Sequence, residues 1–224
     1  MKRVAVLRRS WGSVVWGFEV FDKPNRPTVM VVGVANESCA TAALSFASNG
    51  ARVVAIDVDA DVTAALAKQY PDHIEALEID VLRSKHCRHL AKNWDAEPLD
   101  LLVHGQLLRY PDRPAVAVQS IERLTYALAP ALSESRGQVI YLCEDHPEPR
   151  GIARNAFRSA YSTLAEALHQ ECVQVNVSAN GVRLPSGGVD AVGRDEFEGL
   201  LTGLFLAPAA RLGGSLLSVM PGSD

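Results

Sequence analysis

The chain alternates short apolar runs with amphipathic stretches. Thr28–Val32 is apolar, rich in valine, and stops at Gly33. A run of that kind, too short for a helix, predicts a strand buried on both faces. The small residues of Ser38–Asn49 predict a helix closed by Gly50. The alternation continues through strand Arg52–Ile56 ending at Asp57, helix Val62–Gln69 stopping before Tyr70 and Pro71, strand Ile74–Ile79 ending at Asp80, helix Ser84–Asn93 and strand Leu99–Val103. Beyond these the pattern predicts a helix over Ile121–Ser133, with Ile121, Leu124, Leu128 and Leu132 on one face, and a strand over Gln138–Leu142. A long helix Ile152–Cys172, strand Val173–Val177, helix Asp195–Leu206 and strand Ser215–Val219 complete the series. Alternating strands and helices without long repeats predict an α/β fold: a single Rossmann-type, doubly wound, parallel seven-stranded sheet over residues 28–224. Residues 1–27 do not share this rhythm. Lys2–Leu7 and Val14–Phe21 flank Trp11 and Gly12, which predicts an N-terminal β-hairpin extension, and Lys23–Pro27 then breaks the chain.

Composition narrows the class. A chain of 224 residues, 48% hydrophobic, is long enough for one α/β domain with a sizeable core. The net charge of −4, with both signs interspersed, argues against a nucleic-acid surface and against a polybasic membrane patch. No apolar run reaches the ~18 residues that span a bilayer, and the N-terminal apolar stretch is too interrupted for a secretory signal. The expectation is a cytoplasmic protein with neither nucleic-acid nor membrane partners. The four cysteines, Cys39, Cys87, Cys143 and Cys172, lack paired spacing and read as reduced thiols. His86 and His89 sit one helical turn apart without a third ligand, so the expectation is a solvated helix face and no metal site.

Several stretches together resemble the short-chain dehydrogenase/reductase (SDR) family. VMVVGVANESCATAALSFASNGARVVAIDVD is similar to its opening, a strand, T-G-x-x-x-G-x-G, a helix, G-A-x-V-V and an acid after the second strand. EIDV resembles its adenine-contacting D-V, LDLLVHGQ its N-N-A-G strand, and RGQVIYLCE the strand that carries its catalytic serine. VQVNVSANG and the stretch 195–222 resemble its V-x-V-N-x-x-x-P-G and closing segments. The resemblance covers roughly residues 28–222 and implies a dinucleotide cleft at Gly33, Asp57 and Asp80. Gly33 keeps the first glycine, Asp57 is placed for a ribose 2′-hydroxyl, which favours NAD over NADP, and Asp80 for adenine. Glu37 and Cys39 stand at the second and third glycine positions. A carboxylate ~4 Å from one phosphate charge costs about 4 kcal/mol at an effective dielectric of ~20, roughly a thousandfold in affinity. As an anion, Glu37 also simply suits a helix N-terminus. The cofactor expectation is therefore none, or weak NAD.

The catalytic positions depart further. The resemblance implies a Tyr that exchanges a proton with substrate, a Lys four residues later, a Ser and an Asn. Counting back from LAEALHQE puts the Tyr position at Arg154 and the Lys position at Arg158, and the strand puts Glu144 at the Ser position. The Asn position falls near Ala117. A guanidinium does not lose its proton in a protein, and loss of proton transfer alone costs ~10²–10⁴ in rate. Glu144 and Asp145 either form an ion-pair network with Arg154 and Arg158 or remain separate solvated charges. Tyr161 is expected to pack with Phe157, Leu164 and Leu168. Gly181–Gly193 shows no helical pattern, so the substrate lid also reads as missing.

These losses point to a non-catalytic SDR-like subunit, similar to the degenerate partner in heteromeric SDR enzymes. The family resemblance implies contact with an active SDR subunit through the helices Ile121–Ser133 and Ile152–Cys172, and a homo-oligomer is the other arrangement. Two alternatives stand beside it: an atypical NAD(P)-dependent short-chain oxidoreductase using Tyr141 or His104 as proton donor, and a nucleotide-sensing homodimer.

Overall fold

A computed structural model describes residues 26–94, 97–145, 151–206 and 213–219, apart from the side chains of Ala153, Arg154 and Leu206. The hairpin expected at residues 1–27 lies almost wholly outside them. The strands are β1 (Thr28–Val32), β2 (Arg52–Asp57), β3 (Ile74–Glu78), β4 (Leu101–His104), β5 (Gln138–Glu144), β6 (Ser178–Leu184) and β7 (Leu216–Ser218). They form one seven-stranded sheet in the order β3-β2-β1-β4-β5-β6-β7, with every pairing parallel. This is the doubly wound architecture that the alternation predicts. The helices are α1 (Glu37–Ser48), α2 (Ala60–Gln69), α3 (Ser84–Asn93), α4 (Gln106–Arg109), α5 (Pro114–Ser135), α6 (Ile152–Val173), α7 (Gly188–Val192) and α8 (Arg194–Leu206).

Successive strand residues point to opposite faces, and both faces are apolar, so the sheet needs a helical layer on each side. Val29, Val31, Val53, Val103 and Ile140 pack with Ala42 and Phe46 of α1, Leu66 of α2 and Phe197 of α8. Met30, Val32, Val54, Leu102 and Val139 pack with Leu90 of α3, Leu124 of α5 and Leu168 of α6. Among the described residues, no helix is long and apolar enough to cross a membrane.

Four segments differ from the sequence expectation. Val173–Val177 is not a strand: α6 runs through Val173, Asn176 turns the chain at φ 59°, and Val173 and Val175 are exposed. The strand is Ser178–Leu184, whose Ser, Asn, Gly and Arg conceal it from a hydropathy reading. Helix α5 starts at Pro114 rather than Ile121, because proline suits a first helical turn. The one-turn helix α4 follows β4 directly, and α7 forms within the stretch expected to be irregular. Single turns carry too few residues to show a period.

The switch in strand order lies between β1 and β4. Ligands of open α/β sheets bind at that crevice, beyond the carboxyl ends of the strands. Gly105 closes β4 there, its N–H donating to the Val32 carbonyl (2.9 Å). A Cβ at Gly105 would overlap Cys39 Sγ and stand 2.5 Å from the Val32 carbonyl oxygen. Gly105→Ala should therefore destabilise the fold by about 1–3 kcal/mol, read as a lower urea midpoint. Cys39→Ala on that background should recover part of the loss, since the contact with backbone remains.

Candidate functional site

The cleft at the switch point begins with Gly33. It takes φ 85°, a region open to glycine, and its N–H donates to the Ile56 carbonyl (2.8 Å). A Cβ there would lie 3.2 Å from the Gly105 carbonyl and 3.4 Å from Arg109 Cβ. Asn36 caps α1, its Oδ1 accepting from the Ser38 N–H (3.0 Å). Glu37 opens the helix with a largely exposed side chain, and Arg194 of α8 stands 4.0 Å from its carboxylate. A cation that close offsets part of the repulsion expected from Glu37. Cys39 is fully buried, and burial pushes its thiol pKa up to about 12. It is an inert packing group.

Asp57 ends β2 and is only 3% exposed. Its Oδ2 accepts from the Ala35 N–H (3.0 Å) and its Oδ1 from the Asp59 N–H (3.1 Å). Arg109 Nε completes the set at 3.4 Å. The carboxylate thus braces the β1–α1 loop and is neutralised from α4. Asp80 works in its own turn ahead of α3, accepting from the Leu82 N–H (3.1 Å) and from Arg83 Nε (2.9 Å). The structure therefore brings Gly33 and Asp57 together at one loop and leaves Asp80 to a local role.

At the far end of the cleft, Glu144 terminates β5 and accepts the Gly187 N–H at 2.6 Å. Asp145 follows it, with Arg158 Nε at 3.7 Å and Arg183 Nε at 4.0 Å. The expected ion network thus exists in part, centred on Asp145. Arg183 of β6 was not anticipated, because the displaced strand hid its position. It is only 11% exposed on its side chain and donates to Ser218 Oγ at 2.6 Å. Arg154 lies in the first turn of α6 and Arg158 one turn later. The same end of the cleft holds a cavity of about 360 Å³, whose lining includes Leu107, Leu108, Glu144, Asp145, Phe157 and Tyr161. Tyr161 does meet Phe157 (ring centroids 6.0 Å apart) and packs on the core beside Leu164, yet it also faces this cavity. Burial raises its pKa to about 12, so it remains a neutral phenol near pH 7.

Tyr141 and His104, the other expected proton donors, do not line the cavity. The Tyr141 hydroxyl is buried and donates to the Tyr161 carbonyl. His104 is fully buried, with Nε2 2.9 Å from Thr125 Oγ and Nδ1 3.0 Å from the Gln106 side-chain nitrogen. Ser120, on the same helix as Thr125, donates to the Val81 carbonyl (2.9 Å). Burial lowers the His104 pKa to about 3. Ala117, the position the resemblance implies for an asparagine, is buried in the core. The α5 stripe of Ile121, Leu124, Leu128 and Leu132 is likewise consumed by the protein's own sheet. Between α5 and α6 there remains a groove of about 330 Å³ lined by Val118, Tyr126, Leu164 and Ala167 among others, with Tyr126 bonded to Glu171 (3.2 Å).

No family model matches the chain, and no curated protein matches it in sequence. Solved structures do match it in shape. A hydroxysteroid dehydrogenase from Escherichia coli is 16% identical with a TM-score of 0.70, covering 88% of this chain and 96% of its own. Pseudomonas aeruginosa RhlG, solved as an active-site complex with NADP, is 18% identical with a TM-score of 0.71, covering 88% and 95%. A metagenomic short-chain oxidoreductase in complex with NADP is 21% identical with a TM-score of 0.69, covering 88% and 98%. At these identities the likeness shows the fold, which is that of short-chain dehydrogenase/reductase proteins.

Folding keeps His104 neutral, whereas the unfolded chain protonates it below its ordinary pKa of 6.5. The unfolded state therefore binds the extra proton between 6.5 and about 3, and stability is lost as pH falls through that window. The contribution approaches ~1.4 kcal/mol per pH unit. Denaturation at pH 7, 6 and 5 should show a shallower loss in His104→Gln than in the wild type.

Proposed function

We propose that this chain is an SDR-fold protein without proton-transfer catalysis of its own, acting as a structural or regulatory subunit beside an active NAD-dependent SDR dehydrogenase. The observation that carries this reading is the Arg158–Asp145 contact (3.7 Å) at the end of β5. It supports the register in which Arg154 and Arg158 stand at the proton-relay positions. A guanidinium there cannot cycle a proton near neutral pH. Glu144, at the serine position, accepts the Gly187 N–H, and an ionised carboxylate has no proton to donate to a substrate carbonyl. The partner surface in this reading is the α5–α6 face around Val118, Tyr126, Leu164 and Ala167, since the apolar stripe itself is buried.

A second reading, an atypical NAD(P)-dependent short-chain oxidoreductase, has more direct support from the comparisons. The chain shares its fold, over 88% of its length, with a short-chain oxidoreductase and with RhlG, both solved with NADP. In this reading Tyr161, the phenol that lines the 360 Å³ cavity, is the proton donor. A nucleotide-sensing homodimer would use the same cleft without turnover.

Assay of the purified chain with NADH and NADPH over a panel of ketones and aldehydes separates the readings. The first expects no nucleotide oxidation above background, and loss of activity or assembly from an SDR partner when this chain is withheld. Turnover that disappears in Tyr161→Phe would overturn it in favour of the oxidoreductase.

A further inference from the structure

We propose that Arg109 occupies the adenosine half of the dinucleotide cleft and is the specificity-determining residue that keeps NAD(H) out of it. The inference deepens, and rests on, the reading of this cleft as one not used for turnover. In the doubly wound fold the pyrophosphate sits at the N-terminus of the first helix, and the acid after the second strand offers its oxygens to the adenosine ribose. Here that acid is Asp57, and both of its oxygens already accept backbone N–H groups, from Ala35 and Asp59. On its remaining side stands Arg109 Nε at 3.4 Å.

The position of Arg109 is not incidental. It ends α4, the single turn that follows β4, and its own N–H donates to the Gly105 carbonyl (2.9 Å). Leu107 packs into the core on one side of the sheet and Leu108 into the core on the other, which pins the turn. The side chain starts 3.4 Å from the Cβ position over Gly33 and ends at Asp57. It therefore crosses the carboxyl ends of β1 and β2, where a nucleotide would lie. The guanidinium carbon is also 5.5 Å from the Tyr110 ring centroid, a cation–π distance, so a carboxylate and a ring both hold it. Only about a third of the side chain is exposed (32%).

A ribose can take this place only by driving the guanidinium out. That step leaves the Asp57 carboxylate buried without its cation, which is costly at 3% exposure. The hydroxyls would then meet oxygens that already accept two N–H groups. The charge of Arg109 is meanwhile committed to Asp57, which makes it an occupant of the cleft rather than a waiting phosphate ligand.

Calorimetric titration of NADH, and in parallel NADPH, into the full chain tests this. Arg109→Ala should bind NADH at least ~10-fold tighter than the wild type, the gain expected when an obstacle of ~1.4 kcal/mol is removed. Arg109→Gln, which keeps a hydrogen-bond donor for Asp57 while removing the charge, should tighten binding in the same direction and serves as the test if the alanine variant does not fold. Unchanged affinity in the variants, including no binding in any of them, would overturn the proposal. Weaker binding in the variants would overturn it too, by making Arg109 a ligand. Turnover by the wild-type chain would instead overturn the functional reading above, so the two failures are told apart.

Discussion

The contact between Cys39 Sγ and Gly105 sets the geometry of the whole cleft. Helix α1 closes onto the carboxyl ends of β1 and β4 because Gly105 offers no side chain, and the buried sulfur fills the space left there. In this chain the helix carries the sulfur and the strand end carries the glycine, which permits the close approach. From that approach follow the path of the Gly33–Asn36 loop, the delivery of the Ala35 N–H to Asp57, and the line along which Arg109 reaches the same carboxylate.

Charge at the top of the sheet is satisfied from within. Asp57 is answered by Arg109, Asp145 by Arg158 and Arg183, and Glu144 by a backbone N–H. Buried ion pairs of this kind add little net stability, but losing one partner is expensive because the other charge is left in a poorly solvated place. The two halves of the cleft are thus built alike, each with a carboxylate at a strand end and an arginine from a neighbouring element. The neutral His104–Gln106–Thr125 cluster lies beneath them, within the core.

The fold was legible because most of its strands are apolar on both faces and its helices are punctuated by Gly50, Pro71 and similar residues. β6 escaped notice because Asn180, Gly181 and Arg183 break its apolar run, while the valines before it imitate a strand from the end of a helix. Gly33, Asp57, Glu144 and Arg158 were singled out by the resemblance of the segments that carry them to the family's motifs. Their partners were not. Arg109 and Arg183 belong to segments whose secondary structure was missed, and whether an acidic oxygen is free or engaged depends on backbone N–H groups that leave no trace in residue type. Tyr161 was legible as a packing residue, but its second face, toward the cavity, depends on how α6 sits against α4 and β5.

The shared carboxylate of Asp145 also bears on how the far end of the cleft tolerates substitution. Two guanidiniums converge on one anion, one from α6 and one from β6. A lysine at 158 would keep a positive charge there as a compact point charge, and a neutral residue would leave more of the anion to Arg183. The anion thus couples a helix to a strand that follows it in the chain, so a change at either arginine is felt at the other.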